Sequence, residues 1–288
     1  MGLTSSIEGS ARSVGGGSGC GPSNPCCDPD DINSSSASFA RASVAASKYV
    51  SEIYDTLSDI HLCSSLDTTI AQIVFCPPEP FNLGINNLNK EIGTKVFHIK
   101  SVSTIEITPS HPSGAYENKV IIFSHGNASD IYGNYGYLRR LCNILGVTVI
   151  AYDYPGYGMT HGTPSEKGCY DSIQTVVDCY RNQGKEVYLI GQSLGTGVTV
   201  DFVSKNNWST PVMLISSYKS MMRVAIDLPI ESSFGQNRFE SIYKIEKTKC
   251  PILMIHGKTD ELIGYSHTED LHRKLPNKQF AAVYLENT

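Results

Sequence analysis

No apolar run in this 288-residue chain approaches the roughly 20 residues that cross a bilayer. The longest, at 120–123 and around Leu189 and Ile190, end after a few residues, so no transmembrane helix is expected. Blocks of positive charge are missing too. The net charge is −5, and without a Lys/Arg-rich stretch the chain lacks the electrostatic footprint of a nucleic-acid binder. Met1 is followed by no apolar segment of the secretory type. The nine cysteines are odd in number and scattered, which does not describe a disulfide framework, and a reducing compartment is expected. Cys142, Cys169, Cys179 and Cys250 stand at no metal-ligand spacing from a histidine, so they read as buried or inert, and neither a metal nor another cofactor is expected. What remains is 40% hydrophobic, enough for one compact α/β domain with an appendage.

The appendage is the N-terminal lead. Residues 1–38 are rich in Ser and Gly and carry too few apolar side chains to offset the entropy of ordering them, so disorder is expected there. Gly2, in the string Met1-Gly2-Leu3-Thr4-Ser5-Ser6, fits the myristoylation pattern, and Cys20, Cys26 and Cys27 cluster behind it. One myristoyl chain holds a membrane only marginally, with an association constant on the order of 10⁴ M⁻¹. The second signal cannot be polybasic, because Arg12 faces Glu8, Asp28, Asp30 and Asp31; S-acylation of the three cysteines is therefore expected to complete a lipid anchor. Residues 39–65 follow as a helical linker, in which Val50, Ile53, Leu57 and Ile60 recur at helical spacing and the mixed charges suit packing on protein.

The domain proper is expected over 66–288. Short β-branched runs at 95–99, 102–107, 119–124, 147–152, 186–191, 212–216, 252–256 and 280–285 are separated by helical stretches in all but the first pair. Continuous apolar strings such as Val120-Ile121-Ile122-Phe123 suit strands buried on both faces, the mark of a parallel sheet between helices. The closely spaced first two runs suit an antiparallel edge. In such sheets, ligands meet residues just past the carboxyl ends of the strands.

Those positions hold the motifs. After the run at 186–191 comes Gly191-Gln192-Ser193-Leu194-Gly195, a G-x-S-x-G leading straight into a helical stretch at 196–204. In this strand-turn-helix context the serine sits on a sharp turn, and the glycines are required because a Cβ at either would clash with the crossing backbone. Ser193 is the expected nucleophile. His125-Gly126-Asn127-Ala128 ends the run at 119–124, where the Asn127 N–H, with that of Leu194, would form an oxyanion hole; the His125 side chain is expected to be structural. His256-Gly257-Lys258-Thr259-Asp260 follows the seventh run and offers Asp260 as the triad acid, with Glu261 the nearby alternative. Asp153-Tyr154-Pro155-Gly156-Tyr157-Gly158 reads as a tight structural turn.

These motifs, with Pro164-Ser165-Glu166 and the non-catalytic stretches Phe75-Cys76-Pro77-Pro78-Glu79-Pro80 and Met222-Arg223-Val224-Ala225, resemble the α/β-hydrolase-domain 17 and bem46-like serine hydrolases from about residue 66 onward. The resemblance implies the α/β-hydrolase fold, with a mostly parallel sheet, an antiparallel N-terminal edge, helices on both faces and the last helix missing. It implies thioesterase (depalmitoylase-like) or carboxylesterase activity at Ser193 on an acylated protein or small acyl ester. The setting would be the cytoplasmic face of the plasma membrane or an endomembrane, reached through lipid anchors. Its members begin with a cysteine-rich segment, whereas here a myristoylation pattern precedes three cysteines. A catalytically inactive membrane scaffold and a serine aminopeptidase-like hydrolase are the alternatives. In this family a Gly-His follows the eighth strand, about where Thr288 stands, so the chain as given is expected to have little triad catalysis. His267 and His272 are expected on a helix aimed at solvent, and His161 in a loop with a structural role.

Overall fold

The computed structural model describes residues 74–79, 87–112, 114–225 and 238–286. Eight strands form one sheet: β1 (Thr94–Ile99), β2 (Val102–Ile107), β3 (Lys119–Ser124), β4 (Thr148–Tyr152), β5 (Glu186–Gln192), β6 (Val212–Ile215), β7 (Ile252–Gly257) and β8 (Val283–Leu285). Their order is β1-β2-β4-β3-β5-β6-β7-β8. The β1–β2 and β2–β4 pairs are antiparallel, and every pair from β4 to β8 is parallel. The α/β architecture expected from the strand runs is therefore present, including its antiparallel edge.

Helices α1 (Ile131–Leu145), α2 (Glu166–Asn182), α3 (Leu194–Lys205), α4 (Met221–Ala225), α5 (Ser241–Lys244) and α6 (Ser266–Lys274) connect the strands. Local chemistry sets their ends. The Asp130 carboxylate accepts the Gly133 N–H at 2.7 Å to start α1, and Gly146 at φ 64° stops it. Ser165 caps α2 by accepting the Gly168 N–H at 3.0 Å.

The sheet carries a core on each face. On one, Ile121, Phe123, Val149 and Ala151 pack with Ile131, Leu138 and Cys142 of α1. On the other, Ile122, Ile150, Leu189, Leu214, Ile252 and Met254 pack with Ile173, Val176 and Val177 of α2 and Val198 of α3. Among the described residues nothing covers the α1-side face of β6–β8 fully: Met213, Ile215, Leu253 and Ile255 are half-buried, while Val283 and Leu285 are exposed.

Two expectations need correction. The last strand begins at Val283 rather than at 280, because the Phe280 carbonyl lies 3.1 Å from the His272 ring and β8 pairs with β7 only from Val283 onward. His267 and His272 do not point at solvent. His267 is 3% exposed and its Nδ1 accepts the Lys219 N–H at 3.2 Å, while His272 is half-buried, because α6 packs against β7 and α5 instead of standing off the flank. Cys142, Cys169 and Cys250 are buried and Cys179 is half-buried, all four as free thiols. The lead at 1–38 with Gly2, Cys20, Cys26 and Cys27, and the helical linker at 39–65, lie outside the described residues. No helix among those described is long and apolar enough to cross a membrane.

Candidate active site

Ser193 joins β5 to α3 at φ 49°, ψ −118°, a left-handed conformation that costs a non-glycine residue about 1–3 kcal/mol and persists only where the surroundings enforce it. They do so here. A Cβ on Gly191 would lie 2.5 Å from the Gly195 carbonyl oxygen, and one on Gly195 would lie 2.0 Å from that of Ser124. Both glycines are thus required by contact with backbone, as the motif reading expected. The Ser193 N–H donates to the Ile215 carbonyl at 2.9 Å, and its own carbonyl accepts the Thr196 N–H at 2.8 Å. Its hydroxyl caps nothing and has no hydrogen-bond partner among the described residues.

The loop after β3 faces this serine. A Cβ placed on Gly126 would stand 3.4 Å from Ser193 Cβ and 4.0 Å from Oγ. Among the described residues, neither the Asn127 N–H nor the Leu194 N–H meets an acceptor, and Leu194 opens α3, where exposed N–H groups favour negative charge. The side chain of Asn127 is committed elsewhere, to Val74, Cys76 and Tyr157. His125 is 1% exposed. Its ring stacks on Tyr154 at 4.3 Å and its Nδ1 sits 2.8 Å from the Gly126 carbonyl. Burial pushes its imidazole down to about 4 and drives the neighbouring Asp153 carboxyl well above the carboxylate range, so the two, 3.6 Å apart, rest as a neutral pair.

Asp260 lies two strands away, past the end of β7. Burial works to raise its carboxyl. Hydrogen bonds from the His256 ring, the Ile263 N–H, the Ser216 hydroxyl and the Leu262 N–H outweigh this and hold it below the usual carboxylate range. Ser216 directly follows Ile215, the acceptor for Ser193, so one short stretch at the end of β6 separates the serine from the carboxylate. His256 is fully buried. Its Nε2 is 2.7 Å from the Ile263 carbonyl and 3.5 Å from Asp260 Oδ2, and its Nδ1 is 2.6 Å from the Thr268 hydroxyl. That imidazole braces the Asp260 loop and is not available as a base. Glu261 is exposed and lines, with Arg223, Ser266 and His267, a cavity of about 220 Å³.

Ser193, Asp260, Asn127 and Leu194 therefore gather at the carboxyl edge of the sheet. No described histidine bonds the serine: His161 is exposed, His98 lies near the Met159 carbonyl, and His267 and His272 sit on α6. No group of acidic, His or Cys side chains that could hold a metal occurs among the described residues. Motif reading did not find Ser216, Thr268, Tyr154 or Tyr157, which act through partners far apart in sequence. Tyr154 and Tyr157 lie in the string that the sequence marks, through its Pro and Gly, only as a tight turn.

Comparison with known proteins agrees with this geometry. Residues 134–286 match the family described as serine hydrolase (FSH1). A protein named as an alpha/beta hydrolase in Acanthamoeba polyphaga mimivirus is 36% identical over 237 residues, covering 79% of this chain and 88% of that one. Human alpha/beta hydrolase domain-containing protein 17C is 35% identical over 169 residues, covering 57% of this chain; the chain spans about half the length of the 17-type relatives, 50% in the human case. The structure of a lidless α/β serine hydrolase from Xanthomonas campestris superposes with a TM-score of 0.52 at 17% identity, over 69% of this chain and 86% of that one, a likeness of fold alone. With the strained serine, its two obligatory glycines and the parallel sheet beneath them, the chain belongs to the serine hydrolase (FSH1) family of the α/β-hydrolase fold and is a relative of the domain 17 proteins.

Proposed function

We propose that this serine hydrolase is an acyl-protein thioesterase, or failing that a carboxylesterase, in which Ser193 is the nucleophile, Asp260 the triad acid, and the N–H groups of Asn127 and Leu194 the oxyanion hole. The observation that carries the reading is Ser193 itself, strained at φ 49° with an uncommitted hydroxyl facing the Gly126 loop. Attack of Oγ on an acyl carbonyl gives a tetrahedral adduct whose oxygen takes the negative charge. Collapse expels the thiol or alcohol, and water then cleaves the acyl-enzyme. In the chain order Ser, Asp, His, the base belongs past the carboxyl end of β8, where the Lys258 N–H bonds the Leu285 carbonyl beside the Asp260 loop.

The choice of a thioester rests on the resemblance to the domain 17 hydrolases, and the substrate would be an acylated protein or small acyl ester. The place of action would be the cytoplasmic membrane face, held by a myristoyl group on Gly2 and acyl groups on Cys20, Cys26 and Cys27. The alternative reading is a membrane-bound scaffold without turnover. A fluorophosphonate probe separates the two, because labelling needs an activated serine and not the right substrate. Labelling should vanish in Ser193→Ala and fall on the order of 100-fold or more in Asp260→Asn. An unlabelled full chain favours the scaffold. In the same preparations the wild type should sediment with membranes and Gly2→Ala should not; wild type wholly in the soluble fraction would remove the anchor.

A further inference from the structure

The Asn127 side chain makes three hydrogen bonds of the four open to an amide. Its Nδ2 donates to the Val74 carbonyl at 2.7 Å, and its Oδ1 accepts both the Cys76 N–H at 3.1 Å and the Tyr157 hydroxyl at 2.6 Å. The carbonyl can only accept and the Cys76 N–H can only donate, so the amide has one orientation, and Tyr157 must be the donor to it. The residue whose backbone N–H faces Ser193 is thus pinned through its side chain from two sides, by a segment 51 and 53 residues upstream and by a ring 30 residues downstream.

Tyr157 is built to hold that position. Its ring is fully buried, edge-on to Tyr154 at 5.6 Å and 5.5 Å from His125. It is turned inward by Gly156 at φ 82° and Gly158 at φ 49°; a Cβ at the first would sit 2.6 Å from Pro164, and at the second 2.2 Å from the Asp153 carboxylate. Tyr154 assists from the same turn, its hydroxyl donating to the His125 carbonyl at 2.9 Å. Burial raises the Tyr157 phenol far above its ordinary range, so the donor proton stays on it at any pH at which the protein is folded.

We propose that Tyr157 is a positioning residue for the hydrolase reaction: through the Asn127 amide it fixes the Asn127 N–H where the developing oxyanion needs it, with the segment at 74–76 as the opposite strut. The inference rests on the oxyanion-hole assignment made above. Its physical basis is that a hole donor stabilises charge only when aimed beforehand, and a displacement of about 1 Å can cost on the order of 100-fold in rate. Loss of the hydroxyl leaves one lone pair of Asn127 Oδ1 unmet and removes the downstream strut, so the amide is held from the 74–76 side alone, while the ring keeps its packing.

The test is Tyr157→Phe in the full chain, measured with a p-nitrophenyl acyl ester and with a fluorophosphonate. We expect kcat and the labelling rate to fall about 10-fold to 100-fold with KM within twofold, and affinity for an alkylboronic acid, a tetrahedral mimic, to weaken in parallel. The control is Tyr180→Phe. It removes the hydroxyl of another buried tyrosine, bound to Glu106 at 2.8 Å and not to the loop, and should leave kcat unchanged whatever thermal stability it loses. Unchanged kcat and boronate affinity in Tyr157→Phe, with an active and labelled wild type, overturn the positioning role alone. Equal losses in both variants reduce it to general stability. A wild type without Ser193-dependent labelling overturns the hydrolase reading beneath it.

Discussion

On the half of the sheet built from β3, β4 and β5, both faces are closed: α1 covers Ile121, Phe123 and Val149, and α2 and α3 cover Ile122, Ile150 and Leu189. On the half built from β6, β7 and β8 one face is closed over Val212, Leu214, Ile252 and Met254, while the other leaves Met213, Ile215, Leu253 and Ile255 half-buried among the described residues. The two catalytic candidates divide the same way. Ser193 rises from the closed half, where dense packing makes a strained dihedral affordable. Asp260 belongs to the open half, and there polar bonds do the positioning, from Ile263 at 2.9 Å, Leu262 at 3.1 Å, Ser216 and His256. Steric contact therefore holds the serine, and hydrogen bonding holds the acid.

The sharpest way to break this contrast is Gly195→Ala. A Cβ there would lie 2.0 Å from the Ser124 carbonyl oxygen and 2.9 Å from that of His125, backbone that cannot give way without moving β3 or α3. We expect a loss above about 4 kcal/mol in urea unfolding, or no soluble protein at all. A loss under about 1 kcal/mol would mean that the elbow yields, and steric enforcement of Ser193 would have to be abandoned.

A smaller effect compares the halves directly. Ile122→Ala, at a fully buried site, should cost about 2–5 kcal/mol, the usual range for a core cavity. Ile255→Ala on the half-buried face should cost roughly 1 kcal/mol, since part of its surface already meets water. Equal losses by urea melts would show that something covers the second face in solution.

The smallest effect concerns pH. His125, neutral in the folded chain down to about pH 4 but titrating near 6.5 when unfolded, makes stability rise with pH across that window, because the unfolded state binds the extra proton. Asp153, held protonated by burial but ionised when unfolded above 3.8, acts with the opposite sign there, and Asp130, also raised by burial, adds to it. The terms oppose one another, so removing either should tilt the pH dependence of the melting temperature between pH 4 and 6.5 in opposite directions. His125→Phe should turn the dependence into a fall with rising pH, and Asp153→Asn into a rise. Asp260, depressed below 3.8, contributes stability that is lost only at more acid pH. Identical slopes in all three proteins would exclude the neutral pair.

Much of this could be read in the chain before any coordinates. The elbow was legible because G-x-S-x-G marks the strand-to-helix turn by its own spacing, even though the contact that requires Gly195 comes from distant Ser124, and the eight strand runs were legible because doubly buried strands write continuous apolar strings. The last strand was misjudged by three residues at its start, since Phe280 is apolar enough for a strand but its carbonyl sits at the His272 ring. His267 was misplaced because a helix of mixed polarity does not say which face its neighbours will cover.

What the sequence determined by itself is thus the order of the elements and the strand-turn-helix frame around Ser193, both consequences of residues near one another in the chain. Tertiary structure alone decided the rest. It turned the Asp153-Tyr154-Pro155-Gly156-Tyr157-Gly158 string from a turn into a clamp on Asn127, committed His256 to the acid loop and, among the described residues, left one face of β6–β8 partly open. Each of these depends on groups tens of residues apart meeting at hydrogen-bond or van der Waals distance, and such meetings leave no period or motif in the sequence for local reading to detect.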